Sequence, residues 1–257
     1  MNILLTNDDG VGSEGIQKLA EILRSRGNKV PVIAPDADRS GVSHCISVIN
    51  GPIKLSVLGE DTWSCSGYPV DCVILALWGA LPQRPDIVLS GINRGANLGT
   101  DIIYSGTAAA ARQASLQGIP AMALSLVGNS DYNWNMASLW IADHLDELLE
   151  YWREDTYVNV NIPNSENGPE GIVTSWPAVK NYDDQFTMVN GRKGERWCFL
   201  VSGEETTVQE AGSDCDVVSR NYVSVSTVCN YPAVLKGLCP GAPDHAAIAW
   251  AGKRDRI

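Results

Sequence analysis

The chain has 257 residues, 44% of them hydrophobic and 19% charged, with 24 Gly and 13 Pro, which excludes disorder, collagen and coiled coil. Its 30 acidic and 19 basic residues give a net charge of −11, and such a surface repels a nucleic-acid duplex unless its cations are concentrated. The longest apolar run, Val73 to Leu81, is too short for a membrane span.

Ile3-Leu4-Leu5 reads as a short buried strand. Ile16, Leu19, Ala20 and Leu23 then fall on one helical face, with Ser13 placed to cap that helix and Gly27 to end it. Val30 to Ala34 is the next strand, and Pro31 argues for a sheet edge or a strand start because it has no N–H to donate. Pro69 suits the first position of a helix through Val73, Ile74 and Leu77. Asp86 to Ser90 predicts a third buried strand, Ala108 to Leu116 a small-residue helix, and Ala121 to Leu126 a fourth strand. A long amphipathic helix is predicted from about Asn135 to Trp152, then a strand over 157–162. Strands alternating with helices indicate a parallel sheet with crossover helices.

After Pro163 the texture changes to polar and Gly-rich stretches around β-like pieces at Gly171 to Ser175, Trp197 to Ser202 and Tyr222 to Val228, with no helix alternating between them. The expected organisation is an α/β catalytic core over 1–163 and a smaller β-rich region over 164–257 that carries subunit contacts. The basic run Lys253-Arg254-Asp255-Arg256 reads as a solvated tail. Seven cysteines without a C-x-x-C pair read as reduced thiols, mostly buried. The N-terminus meets Asp8 and Asp9 too early to be a signal peptide, so a soluble, cytoplasmic protein is expected.

Ligands of an open parallel sheet bind beyond the carboxyl ends of its strands. The stretches in that position are Asn7-Asp8-Asp9-Gly10, then 35–41 with Asp36, Asp38 and Ser40, then 91–97 with Asn93 and Asn97. Asp8, Asp9, Ser40 and Asn93 offer only oxygen donors, with no His or Cys beside them, which suits Mg²⁺, Mn²⁺ or Ca²⁺ and argues against zinc. A lone Asp-Asp-Gly is more often a turn; two further oxygen-rich loops at the same edge put a cation ahead. Tyr104-Ser105-Gly106-Thr107 opens the Ala-rich helix, and a helix N-terminus binds anions as readily as it is simply capped. A cation beside a phosphate cradle points to hydrolysis of a phosphate ester.

A competing reading uses Gly10, Gly12 and Gly15, which match G-x-G-x-x-G and would make the chain a dinucleotide-binding oxidoreductase. Asp8, Asp9 and Glu14 set three negative charges around that pyrophosphate, which disfavours it. A third reading is a non-catalytic metal or nucleotide sensor. There is no P-loop and no G-x-S-x-G elbow; Asp36-Ala37-Asp38 has the D-x-D spacing of aspartyl phosphatases but lies in the second loop. His144 reads as a surface residue, and His44 either reaches the site or is structural.

The stretches Ile3 to Gly10, Ala34-Pro35-Asp36 through Arg39-Ser40-Gly41, Ser90 to Asn93 and Ile103 to Thr107 resemble the four signature segments of the SurE family of survival-protein nucleotidases. Gly67-Tyr68-Pro69-Val70-Asp71-Cys72-Val73 is similar to that family's G-T-P-x-D-C-V, with Tyr for Thr. The resemblance implies a Rossmann-like, three-layer α/β core and a phosphatase acting on nucleoside 5′-monophosphates, with 3′-monophosphates as a further substrate class, and using one Mg²⁺ or Mn²⁺. It implies Asp8, Asp9, Ser40 and Asn93 as metal ligands, and Asn97, Ser105, Gly106 and Thr107 around the phosphate. Asp8 or Asp9 would also accept the proton of the attacking water. It further implies homodimers or homotetramers that exchange C-terminal segments. Asp214 through Val225 is similar to a late family stretch, with Asn221 where Gly is usual, a substitution that keeps a left-handed backbone accessible. Beyond Ser226 the chain reads Thr227-Val228-Cys229-Asn230-Tyr231 and departs from the family's T-P-L pattern.

Overall fold

The computed structural model of the chain describes residues 1–201, 203, 205–208 and 210–232. The basic run 253–256, His245, Cys239 and the Gly-, Ala- and Pro-rich end lie outside the described residues.

The chain opens with β1 (Ile3–Thr6), α1 (Glu14–Ser25) and β2 (Val32–Pro35), followed by a hairpin of β3 (Leu55–Gly59) and β4 (Thr62–Cys65). Then come α2 (Pro69–Leu75), β5 (Ile87–Arg94), α3 (Gly106–Leu116), β6 (Ala121–Val127), α4 (Trp134–Leu149) and β7 (Thr156–Pro163). The rest comprises β8 (Ile172–Thr174), β9 (Val179–Tyr182), β10 (Gln185–Asn190), β11 (Arg196–Val201), β12 (Glu205–Val208), α5 (Asp214–Ser219) and β13 (Val223–Cys229). No helix among the described residues is long and apolar enough to cross a membrane.

One sheet runs in the order β3-β4-β2-β1-β5-β6-β7-β13-β8, parallel from β4 to β7. Alternation along β1 assigns its two faces: Ile3 and Leu5 pack with Ile16, Leu19 and Ile141 of α1 and α4, while Leu4 packs with Val73, Ala110 and Ala114 of α2 and α3. That is the three-layer α/β arrangement. Burying such a Leu or Ile contributes roughly 1.5–3 kcal/mol. The alanines of α3 let its backbone lie close to the sheet, and all five of Ala108, Ala109, Ala110, Ala111 and Ala114 are buried.

Several expectations are corrected. Of the two readings of Pro31 the edge fails and the strand start holds: β2 is an interior strand, because the unforeseen β3–β4 hairpin covers the edge, and Pro31 lies just before it and offers its carbonyl to Leu5 N–H at 2.9 Å. β5 continues past Ser90 through Arg94, with a cis Gly91–Ile92 peptide and a register shift against β6, so Asn93 stands on a strand rather than in a loop. The sheet is mixed, since β13 returns antiparallel to β7 and β8 pairs with β13. Val223 and Val225 share a core with Val158 and Val160, so Pro163 marks a change of texture and not of core. A short helix, α5, interrupts the β pieces, and Asn221 after it adopts φ +64°. Cys65 and Cys72 are buried but Cys198 and Cys229 are exposed, one on a solvent-facing hairpin and one at the end of β13. His144 is half-buried, stacked on Trp140 with ring centroids 4.2 Å apart.

The glycine-rich segment is shaped by packing. A Cβ on Gly15 would lie 2.3 Å from the Ile92 carbonyl oxygen and 3.0 Å from the Trp134 ring, so only glycine lets α1 settle on β5 and α4. A Cβ on Gly12 meets nothing. Gly15→Ala is therefore expected to destabilise by roughly 1–3 kcal/mol through overpacking, while Gly12→Ala stays within about 0.5 kcal/mol of the wild type. Urea denaturation of both variants checks the contrast.

Candidate active site

From β1 the chain runs to β2 and β4 on one side and then returns to β5 on the other, so the crevice of the sheet lies between the carboxyl ends of β1 and β5. Asn7 shapes the turn there. Its amide nitrogen donates to the Gly10 carbonyl at 2.9 Å and to Ser13 Oγ at 2.7 Å, and its Oδ1 accepts Gly10 N–H at 3.2 Å. Ser13 thus occupies the N-cap position of α1, yet its hydroxyl serves Asn7 and makes no capping bond. Gly10 has φ +98°, and a Cβ there would lie 3.2 Å from the Ala37 carbonyl carbon, so the first and second loops touch at that point.

The turn presents two carboxylates that fasten the remaining loops. Asp8 is buried; its main-chain oxygen accepts Arg39 N–H at 2.7 Å, joining the second loop. Its Oδ2 accepts Thr107 N–H at 3.1 Å and its Oδ1 accepts the Thr107 hydroxyl, joining the start of α3. A Cβ on Gly106 would come within 2.9 Å of Asp8 Oδ2, so glycine is needed for this approach. Asp9 Oδ2 accepts Arg94 N–H at 3.0 Å, joining the end of β5. Burial pushes the Asp8 carboxyl up to about 6, against the pull of the Thr107 hydroxyl and with the charge of Asp9 adding to the rise. Burial likewise raises Asp9, opposed by the Arg94 amide and reinforced by Asp38.

The other residues singled out in the sequence stand as follows. Asn93 is buried and donates its amide N–H to the Gly95 carbonyl at 3.0 Å, which leaves its carbonyl oxygen for a cation. Ser40 is exposed, with its N–H and hydroxyl both donating to Asp38 Oδ1 at 2.8 and 2.6 Å, and no bond joins it to Asp8 or Asp9. Ser105 caps α3 by accepting Ala108 N–H at 3.0 Å. Both donors of Thr107 serve Asp8, so the anion at this helix N-terminus is a carboxylate of the chain itself. Asn97 is buried below, its amide on Ser125 Oγ at 2.8 Å and its main chain held by Asn159 and Asn161. His44 meets Gln113 at 3.0 Å, roughly 10 Å along α3 from Gly106, which sets it apart from the turn cluster.

The sequence assigns no role at the site to three of its residues: Asn7 and Asp38, which it offers only as members of their loops, and Arg94. Asp38 carries a signal, since an Asp two residues before a Ser commonly accepts that residue's N–H. Two further carboxylates hold the surroundings. Asp71 accepts Ser47 N–H at 3.0 Å, Val48 N–H at 3.1 Å and Tyr68 N–H at 2.8 Å. Asp214 accepts Gly99 N–H at 2.7 Å and Ala178 N–H at 2.9 Å.

The donor set fits a hard divalent cation. Among the described residues no ion pair reaches Asp8 or Asp9, and no three His, Cys, Asp or Glu side chains gather as a metal cluster. Two adjacent carboxylates in a buried crevice, both held up in pKa, are the arrangement a cation relieves.

Comparison with known proteins agrees over nearly the whole chain. A family model described as survival protein SurE matches residues 3–183. The 5′-nucleotidase SurE of Prochlorococcus marinus (strain NATL1A) is 35% identical over 265 residues, covering 100% of this chain and 97% of that protein. The 5′-nucleotidase SurE of Syntrophotalea carbinolica is 38% identical over 231 residues, covering 88% and 90%. The crystal structure of the SurE protein from Aquifex aeolicus superposes with a TM-score of 0.79 at 34% identity, over 91% of this chain and 95% of that one.

The raised Asp8 pKa sets a direction for stability in metal-free protein. A carboxyl at about 6 in the native state and 3.8 when unfolded favours the native state below pH 3.8 and loses that contribution as pH rises through 6. Asp8→Asn keeps one acceptor for the Thr107 N–H, leaves the Thr107 hydroxyl to turn and accept from the new amide, and removes the titration. The variant is expected to lack a decline of roughly 3 kcal/mol between pH 4 and pH 7 that the wild type shows, measured by denaturant unfolding in a chelator.

Proposed function

The chain belongs to the SurE family, and we propose from that membership and the geometry of the site that it is a divalent-metal-dependent phosphomonoesterase acting on nucleoside monophosphates. The observation that carries this reading is the pair Asp8–Asp9, bonded at once to the second loop, to β5 and to the N-terminus of α3. Asp8, Asp9 and Asn93, with Ser40 at the rim, would hold one Mg²⁺ or Mn²⁺. When bound, that ion supplies neutralising charge to the phosphoryl oxygens.

The protein's own groups do the rest. Ser105, Gly106 and Thr107 direct the positive end of the α3 dipole toward the ester, with Asn97 beneath them. Thr107 holds Asp8 in one orientation through two bonds. Asp9 has one carboxylate oxygen on Arg94 N–H and the other clear of protein donors, so Asp9 is the acceptor for the proton of the attacking water. Both 5′- and 3′-esters are within the reading, since the site described engages the phosphate and not the sugar carbon that bears it.

The exposed hairpin β10–β11 supports a homo-oligomer. Every residue of both strands is exposed, and its two faces carry Phe199 with Trp197 and Phe186 with Leu200. A dimer or tetramer built on this arm, working in the cytoplasm, completes the reading.

Phosphate release from nucleoside 5′- and 3′-monophosphates with Mg²⁺ or Mn²⁺, and its loss with a chelator, is the expected assay result. Asp9→Asn should lower kcat by roughly a hundredfold or more with an unchanged circular dichroism spectrum. Full activity in that variant, or in chelator, overturns the assignment, and nucleotide binding without any release identifies a sensor instead. Because a proton competes with the cation for Asp8, the thermal shift induced by Mn²⁺ should be large at pH 7.5 and fade as the pH falls through about 6. Phe199→Glu with Leu200→Glu, one on each face of the arm, should convert the oligomer to monomer in light scattering.

A further inference from the structure

Two arginines touch the aspartate pair through their main chains, and their side chains differ in what they bind. Arg39 gives its N–H to the Asp8 main-chain oxygen, while its guanidinium pairs with Asp36 at 3.1 Å and lies over the Tyr68 ring. Arg94 gives its N–H to Asp9 Oδ2 at 3.0 Å, and its residue is exposed. It lines an open cleft of about 430 Å³, so a solute can reach its guanidinium. Glu14 and Asp131 line the same cleft, yet among the described residues no carboxylate forms an ion pair with Arg94.

The charge of Arg94 nevertheless bears on the centre. Burial dominates at Asp9 and the Ser40 bonds dominate at Asp38, and at both carboxyls the Arg94 charge acts to lower the pKa. Asp9 belongs to the first loop and Asp38 to the second, so the guanidinium stands within electrostatic reach of both loops. A planar fork of N–H donors without an anionic partner of its own suits an anion that arrives from solution.

The chemistry of the site calls for such a group. Asp8 and Asp9, when ionised, match the charge of one divalent cation, which leaves the loaded centre close to neutral. A phosphomonoester brings close to two negative charges at neutral pH. The N-terminus of α3 offers the equivalent of roughly half a positive charge. Much of its hydrogen-bonding capacity is already spent, with Thr107 N–H on Asp8 and the N–H groups of Ala108 and Ala109 on Ser105. The chain as a whole carries −11 and repels the ester at longer range. Arg94 adds a full positive charge where the helix adds half.

We propose that Arg94 is a phosphate-binding residue, whose guanidinium takes the phosphoryl oxygens of the ester beside Asp9. The inference rests on the phosphomonoesterase reading and adds to it the side chain that holds the charge of the substrate.

The side chain can be removed without touching the bond to Asp9, because that bond comes from the main chain. Arg94→Ala should raise KM for nucleoside monophosphates and lower kcat/KM by roughly ten- to a hundredfold, the scale of hydrogen bonds to a charged group. Arg94→Lys restores the charge without the fork and should recover part of the loss. Calorimetric titration of inorganic phosphate into the Mg²⁺-loaded proteins should show the same ranking without turnover. Mn²⁺ affinity, titrated in the absence of phosphate, should hold or tighten in Arg94→Ala, since a like charge is removed from beside the cation. A mere support of Asp9 would weaken both ligands together. Wild-type KM and phosphate affinity in Arg94→Ala, or a parallel weakening of Mn²⁺, overturns the role of Arg94 while leaving the phosphatase standing. Absence of phosphate release from every ester, with phosphate binding that Arg94→Ala abolishes, would instead keep Arg94 as an anion-binding residue and sink the phosphatase.

Discussion

Two adjacent carboxylates at the end of β1 organise this molecule. Asp8 and Asp9 repel each other and resist burial, yet the fold places them at the crevice of the sheet and closes three other segments onto them through Arg39, Arg94 and Thr107. The Arg94 and Thr107 N–H groups and the Thr107 hydroxyl reach the carboxylates and align them, while the Arg39 N–H is taken by the Asp8 main-chain oxygen, and net negative charge stays in place. The divalent cation proposed above would relieve that charge, and its binding would favour the same gathering of Arg94 and Thr107 about the carboxylate oxygens.

The glycines around the pair serve this approach rather than a dinucleotide. Gly106 lets α3 reach Asp8, Gly10 lets the first loop touch the second, and Gly15 seats α1 on β5. Within the G-x-G-x-x-G spacing, two steric demands with different partners fall on Gly10 and Gly15, and Gly12 meets none. The same motif that suggests a nucleotide cofactor is explained by the close packing of helix and strand that both architectures need.

What the sequence disclosed follows from how local its determinants are. Periodicity located β1, α1, α3, β6, α4 and β7, because each buries an apolar face that repeats within a few residues. The two carboxylates and Asn93 were legible from residue chemistry and position after strands. The β3–β4 hairpin was not, since its first strand is an exposed edge whose apolar Val57 and Leu58 face solvent and give no alternation. The antiparallel return of β13 rests on partners more than 60 residues away, such as Val225 on Val160, which no window of sequence contains. Ser40 was legible as an oxygen donor but its partner was not: its hydroxyl donates to Asp38, two residues earlier, at 2.6 Å.

The second half of the chain acts on the site through the segment just before α3. Asp214 accepts Gly99 N–H, and a Cβ on Gly99 would lie 2.5 Å from the Ala178 carbonyl oxygen, so the main chain at 99 is clasped by residues from two later elements. Asp101 adds an ion pair with Lys180 at 2.8 Å and a bond from the Tyr182 hydroxyl at 2.5 Å. Lys180 and Tyr182 belong to β9, the strand that leads directly into the exposed β10–β11 arm. Segment 99–103 in turn delivers Ser105, Gly106 and Thr107. The position of the α3 N-terminus is thus set from two directions, by Asp8 on one side and by the base of the arm on the other. The clasp joins the base of the arm to the segment before α3, while Val223 and Val225 bury their side chains in the same core as β5, β6 and β7, so the β-rich region bears on the site through both the sheet and the clasp.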